Sequence, residues 1–385
     1  MKQKVLHSAA VLLLTLCVVV GGCQSRQESS EDTAASTVQD SVESSVPEES
    51  SDLLPESEPE PDSSEEESSE VEPVIPEGYV YSQYTGLPIP EETARRKPVA
   101  ISINNHRKAS PQSGLLYADI IYEAPVEGNM TRFVAVFQDY DQVEKIGPVR
   151  SARRYFIDFA LDQSAVLIHF GEDTSISKVY SQVGCPHING ISSLEEVMTW
   201  RSKDRKAPHN VYTSGERLLE AMERAKIATE LESEVAPVFS FLKEEETPSS
   251  GEPVQHVAIP YLVYKDYNQT AEFFYEAETK SYGRVQFDEP QTDLETGEQL
   301  KFKNVLIQIA DVHERGDEAG HKDMVSIGEG KGYYLTNGIC QPVTWKKADQ
   351  QTPTHWYDAE GEELSLNPGK TWINVVSLSQ EITLE

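Results

Sequence analysis

Residues 24–76 contain 17 acidic residues, 14 serines and 6 prolines, no Phe, Trp or Tyr, and a single base, Arg26. Such a stretch cannot bury enough apolar surface to offset the entropy of ordering it, so the sequence predicts a disordered acidic tether over 23–80. A flexible coil of that length spans roughly 40 Å and an extended polyproline-like chain roughly 160 Å; like-charge repulsion favours the longer form. Any fold must therefore be built from the residues C-terminal to the tether. Residues 77–385 carry -18 of the chain's formal charge of -32, and their length suits about two domains. That acidity excludes general nucleic-acid binding, which needs a basic surface to displace counterions from phosphates. Four cysteines spread over 385 residues exclude a disulfide-built miniprotein and a paired-CxxC zinc site.

The segment ahead of the tether reads as an export signal over 1–22. Lys2 and Lys4 lead into an apolar run from Ala9 to Val20, broken only by Thr15 and Cys17. The run has the length of a signal-peptide core and is short for a membrane span, which needs about 20 apolar residues. It ends in Val20-Gly21-Gly22-Cys23, which resembles the bacterial lipobox, in which the cysteine is acylated. Two or more acyl chains on Cys23 would anchor the protein stably to the outer face of the cell membrane.

Hydrophobic patterning divides the rest. Val99–Ile103, Ile120–Tyr122, Phe133–Phe137 and Ala165–Ile168 read as strands, and Ser151–Leu161 as a helix with apolar positions at Ala152, Tyr155, Phe156, Phe159 and Ala160. Thr213-Ser214-Gly215-Glu216 matches a capping box ahead of a helix with Leu218, Leu219, Met222 and Ala225 on its apolar face. This predicts an α/β N-terminal domain over 83–228, a linker over 229–255, and a β-rich (α+β) C-terminal domain over 256–385. Seven strand-like runs fall in the last region, punctuated by Asn337-Gly338 and Asn367-Pro368-Gly369.

Four polar clusters stand out in the first domain: Asn104–Arg107, Gly147–Arg154, His169–Asp173 and Arg205–Asn210. Loops at the carboxyl ends of strands in an α/β fold share one face, where ligands bind. Arg150, Ser151 and Arg153 are expected at a helix start, where free N–H groups favour an anion supplied by a ligand or by Glu123 or Asp119. Arg132, Lys206, His209 and Asn210 complete the expected ligand-binding set. Glu123 is the candidate acid/base, with His169 or His209 as a second proton carrier. The sequence contains no HxH, HExxH, CxxC or Gly-x-Ser-x-Gly motif, so no metal, cofactor or serine nucleophile is expected. Cys185 and Cys340 are expected to be unlinked thiols.

Longer runs carry a resemblance. In the first half these are Ser110–Leu115, Tyr122–Gly128, Thr131–Phe133, Ile146–Arg153 and Lys206–Thr213. In the second they are Tyr334–Gly338, Trp345–Lys347 and Leu366–Ile373. Over roughly 83–385 the sequence resembles the YerB-like lipoproteins of Gram-positive bacteria, a two-domain family without an established biochemical activity. The resemblance implies a lipoprotein in the cell envelope and the two-domain layout, and it supplies no reaction. It also implies a Gly-rich turn with Ser-Pro after His169, where this chain has the more acidic Gly171-Glu172-Asp173-Thr174-Ser175.

The function expected from these features is non-catalytic: an envelope lipoprotein that binds an anionic wall component or modulates a wall-synthesis enzyme. The alternatives are a hydrolase or transferase acting on an anionic glycan or peptide, and a solute-capture protein holding a small anion.

Overall fold

The computed structural model describes residues 75–231 and 237–385. The signal peptide, Cys23 and the tether up to residue 74 lie outside the described residues. Regular structure begins with Tyr79–Tyr81, paired to Pro88–Pro90. No helix among the described residues is long and apolar enough to cross a membrane.

The elements that position the candidate site are, in chain order, β1 (Val99–Asn104), β2 (Ile120–Pro125), β3 (Thr131–Phe137), α1 (Arg154–Asp162), β4 (Val166–His169), β5 (His187–Asn189) and α2 (Gly215–Arg224). The second half adds β6 (His256–Tyr264), β7 (Tyr267–Glu276), β8 (Ser281–Gln286), β9 (Asn304–Ala310), β10 (Gly328–Thr336), β11 (Ile339–Lys347) and β12 (Thr371–Ser377). The expected fold class holds: α/β first, then β-rich. The capped helix starts one residue later than its sequence signature suggests, because Ser214 rather than Thr213 accepts from the Arg217 N–H at 3.4 Å.

One mixed sheet runs through both halves, in the order β11-β10-β9-β12-β2-β3-β1-β4-β5. Its seam is the parallel pairing of β12 with β2, in register from Thr371↔Ile120 to Asn374↔Glu123. β1, β2 and β3 are buried at every position, as strands covered on both faces must be. Period-2 alternation sends Ile101, Ile121 and Phe133 to one face, where they meet α2 and the smaller antiparallel sheet β6-β7-β8. Ala100, Tyr122 and Val134 face the other way, against Tyr155, Phe156 and Phe159 of α1. Tyr122 stacks on Phe159 with centroids 4.5 Å apart. The described parts of 229–255 lie along the body: Leu231 N–H donates to Arg95 O at 2.9 Å, and Ser240–Phe241 pairs with Ser365–Leu366.

Across the seam, Trp372 is fully buried among Phe133, Phe273 and Phe302 at 5.0–5.8 Å, mostly edge to face. Burying an aromatic of this size contributes on the order of 2–3 kcal/mol. Lys347 on β11 forms a second tie, an ion pair with Asp162 at the end of α1. Thr354 donates to the other Asp162 oxygen at 2.8 Å. Cys185 and Cys340 are separate buried thiols, each pushed up to about 12 by burial.

Candidate functional site

The expected site residues separate into three groups. Glu123 is in the first, sealed inside the seam. It lies on the face of β2 that looks toward the smaller sheet, and both it and Arg284 of β8 are without solvent exposure. Arg284 donates to Glu123 Oε2 at 2.7 Å, while Thr131 and Asn105 donate to Oε1 at 2.7 and 3.2 Å. The guanidinium is sandwiched near the Trp372 and Phe273 rings at 4.8 and 4.9 Å. Both carboxylate oxygens are thus occupied within the fold. Asn210 is likewise committed, accepting from Arg201 and donating to Ser202 O, each at 3.1 Å.

The second group gathers three guanidiniums around one carboxylate. Glu127, in the tight turn after β2, pairs with Arg153 and lies 3.7 Å from Arg132. Arg132 on β3 also donates to Ser151 O at 2.6 Å. Burial, and then the neighbouring Arg153, pull Arg132 down to about 9. The internal carboxylate at these arginines is therefore Glu127, not Glu123 or Asp119. Asp119 instead accepts from the Gln138 N–H at 2.8 Å, and burial pushes it up to about 6.

Arg150 is the unpaired member. Its backbone is fixed, with N–H donating to Ser102 O at 2.8 Å and the carbonyl accepting from Phe170 N–H at 2.9 Å. Its guanidinium is half-buried and has no hydrogen bond or ion pair among the described residues. Burial lowers its pKa, and Arg153 lowers it further. The expected helix start is placed differently: α1 begins at Arg154, so Arg150 and Ser151 sit in the extended approach to it, and Arg153 occupies the cap position without capping. The Ser151 hydroxyl donates to Phe170 O at 3.1 Å.

Beside Arg150 stand His106 and His209, with rings 4.7 Å apart. Asn104 Nδ2 is 2.9 Å from His209 Nδ1, and as a donor it makes that nitrogen the acceptor, leaving any ring proton on Nε2. Burial, followed by His106 and Arg150, brings His209 down to about 4; burial, Lys108 and Arg150 lower His106. Both rings are neutral near pH 7. Sequence reasoning singles out His209 and gives His106 no role; only the return of residue 209 to the end of β1 reveals the pairing. Lys206 is exposed, whereas its neighbour Arg205 is bound to Ala109 O and, at 2.6 Å, to Pro111 O.

His169 belongs to a third group. It is fully buried at the end of β4 and faces His187 of β5 and Glu172, apart from the arginines' shared carboxylate. The five residues Glu123, Arg132, Arg150, His169 and His209 thus do not form one constellation. Arg150 and His209, with Arg132 behind them, do come together.

Arg150, the two imidazoles and Arg132 behind them thus make a cationic notch on a two-part α/β and β-rich scaffold. The chain belongs to the DUF3048 family: residues 84–228 match "Protein of unknown function (DUF3048) N-terminal domain" and 260–373 match its C-terminal domain. It is 34% identical over 300 residues to the Bacillus subtilis (strain 168) protein named "Putative lipoprotein YerB", covering 76% of this chain and 85% of that one. A crystal structure of the YerB protein from Bacillus subtilis superposes with a TM-score of 0.70 at 31% identity, over 79% of this chain and 99% of that one.

Proposed function

We propose that this protein is a lipid-anchored envelope lipoprotein, acylated at Cys23 and held on the outer face of the cell membrane, that binds an anionic group of a wall component without catalysing a reaction. The relative's name supports the lipoprotein part; the lipobox-like Val20-Gly21-Gly22-Cys23 gives the anchor position. One observation carries the ligand class: Arg150 is a half-buried cation without a partner among the described residues, in a chain rich in acids. A cation withdrawn from water is costly unless an anion meets it. Arg132 adds positive charge behind it, and two neutral imidazoles beside it can donate to a phosphate or carboxylate oxygen. Glu123, the expected acid/base, is taken up by Arg284, which weighs against glycan hydrolysis.

Two measurements test this. Calorimetry with a soluble polyol-phosphate wall fragment and with a carboxylate-bearing muropeptide should show binding of at least one, lost in Arg150→Ala. The ligand reading fails if neither binds the parent, or if Arg150→Ala binds as well as the parent does. Cys23→Ala should release the protein from membranes or leave an unprocessed precursor; a mature, detergent-dependent Cys23→Ala protein would remove the anchor.

A further inference from the structure

The third cluster has a chemistry that the anion reading does not use. His169 Nδ1 lies 2.8 Å from Gly171 O. A carbonyl only accepts, so Nδ1 carries the proton and Nε2 presents its lone pair. That lone pair faces His187 Nδ1 at 3.1 Å and Glu172 Oε2 at 3.8 Å. The three donor atoms all lie within 4.8 Å of one another. Glu172 Oε2 is buried, and neither it nor the adjacent Tyr180 hydroxyl has a well-formed hydrogen bond. Tyr180 stacks on His187 at 3.6 Å and on His169 at 5.6 Å, with the three rings nearly parallel.

We propose that His169, His187 and Glu172 form a binding site for one divalent transition-metal ion of the zinc class. Donors of a tetrahedral zinc site sit at about 2.0–2.2 Å from the metal and hence about 3.3 Å from each other, and the observed 3.1 and 3.8 Å bracket that spacing. A His187-to-His169 hydrogen bond accounts for the ring pair and the Tyr180 hydroxyl interacts with the Glu172 carboxylate; a metal ion would engage all three donor atoms at one centre. The Gly171 carbonyl that fixes the His169 tautomer is the kind of outer partner that ligating histidines use. Two nitrogens and one carboxylate suit zinc over magnesium or calcium, with a water in the fourth position. Asp173 does not compete, because Arg315 holds it. The three donors are separate from the Arg150 notch, although Ala152 N–H donates to Gly171 O at 3.0 Å and so links the two segments.

The test uses the untagged full-length protein in detergent, stripped with a chelator and titrated with cobalt(II) and then zinc. Expected are one equivalent of cobalt, the intense visible bands of a low-coordinate nitrogen/oxygen site, and displacement by zinc. Glu172→Gln, nearly isosteric, and His187→Ala should each weaken binding at least tenfold, with the fold of each checked by circular dichroism. Failure of the parent to bind either metal at micromolar concentration would overturn the proposal. So would undiminished binding in either variant, or a thiolate-to-cobalt band in the near ultraviolet.

Discussion

Two places in this molecule set an arginine beside the end of a central strand, and they treat it in opposite ways. At the seam, Arg284 meets Glu123 with no solvent exposure on either side, and the carboxylate takes two further hydrogen bonds. At the notch, Arg132, Arg150 and Arg153 share only Glu127, which reaches two of them. Desolvating a charge is costly in both settings. The seam offsets that cost internally, so its charges hold the two halves in register. The notch leaves the half-buried Arg150 without a hydrogen bond or ion pair among the described residues, the position that the proposed anion would fill. Burial alone would have ranked Glu123 as the more interesting residue, but both of its carboxylate oxygens are already bonded within the fold.

The sharpest way to break this contrast is at the seam. Glu123→Ala strands Arg284 between Trp372 and Phe273, and loss of one partner of a buried pair costs about 3–5 kcal/mol. Chemical denaturation should show that loss. Glu123→Leu combined with Arg284→Met should recover most of it, since an apolar pair of similar volume avoids both desolvation terms. A single variant as stable as the parent would mean that Glu123 is spare, and hence available for chemistry after all.

Legibility in the sequence divides along the same line. The strands of both halves and α2 can be read from alternation and capping, because those signals are local. The pairing of β12 with β2 cannot, since nothing in Trp372–Val375 or Ile121–Ala124 records that they are neighbours across about 250 residues. Glu123 looks catalytic in sequence for that reason: its partner Arg284 lies 161 positions away. Arg150 stands out by charge, but its local pattern suggests a helix start, whereas Arg150 and Ser151 are tied in extended form to Ser102 and Phe170. The His169–His187 pair escapes motif reading because adjacent parallel strands, not a short spacing, bring the rings together.

At the notch the expected effect reverses. Arg150→Ala should shift stability by no more than about 0.5 kcal/mol in chemical denaturation, the range of substitutions that break no native contact. Glu127→Gln should cost clearly more, because it removes the counterion of Arg132 and Arg153. If Arg150→Ala were the more damaging of the two, Arg150 would be holding the fold together and the contrast with the seam would collapse.

Acid titration sharpens the comparison further. His209 has a folded pKa near 4 against an ordinary value of 6.5. As pH falls through that window the unfolded chain takes up a proton that the folded ring refuses, so acid destabilises the fold. Asp119, raised to about 6 by burial, works in the opposite sense, but it is common to parent and variant. His209→Gln should therefore lose less stability than the parent between pH 7 and about 4. Denaturant midpoints across that range provide the check, and parallel profiles would show that the ring titrates normally and that the notch is wetter than its geometry indicates.

The smallest effect is expected at Lys206, which charge alone places among the ligand-binding residues. Its side chain is exposed and makes no hydrogen bond or ion pair among the described residues. The neighbouring Arg205, by contrast, is anchored to two backbone carbonyls and to Tyr212 Oη at 3.2 Å. A solvated lysine interacts with an anion through water and salt, where a single pair contributes less than about 1 kcal/mol. Lys206→Ala should thus leave stability unchanged and weaken binding of an anionic wall fragment by no more than about fivefold, with the difference disappearing at high salt. A loss as large as that of Arg150→Ala, persisting at high salt, would instead place Lys206 in direct contact with the ligand. The binding surface would then extend from the half-buried notch along the exposed loop before Val211.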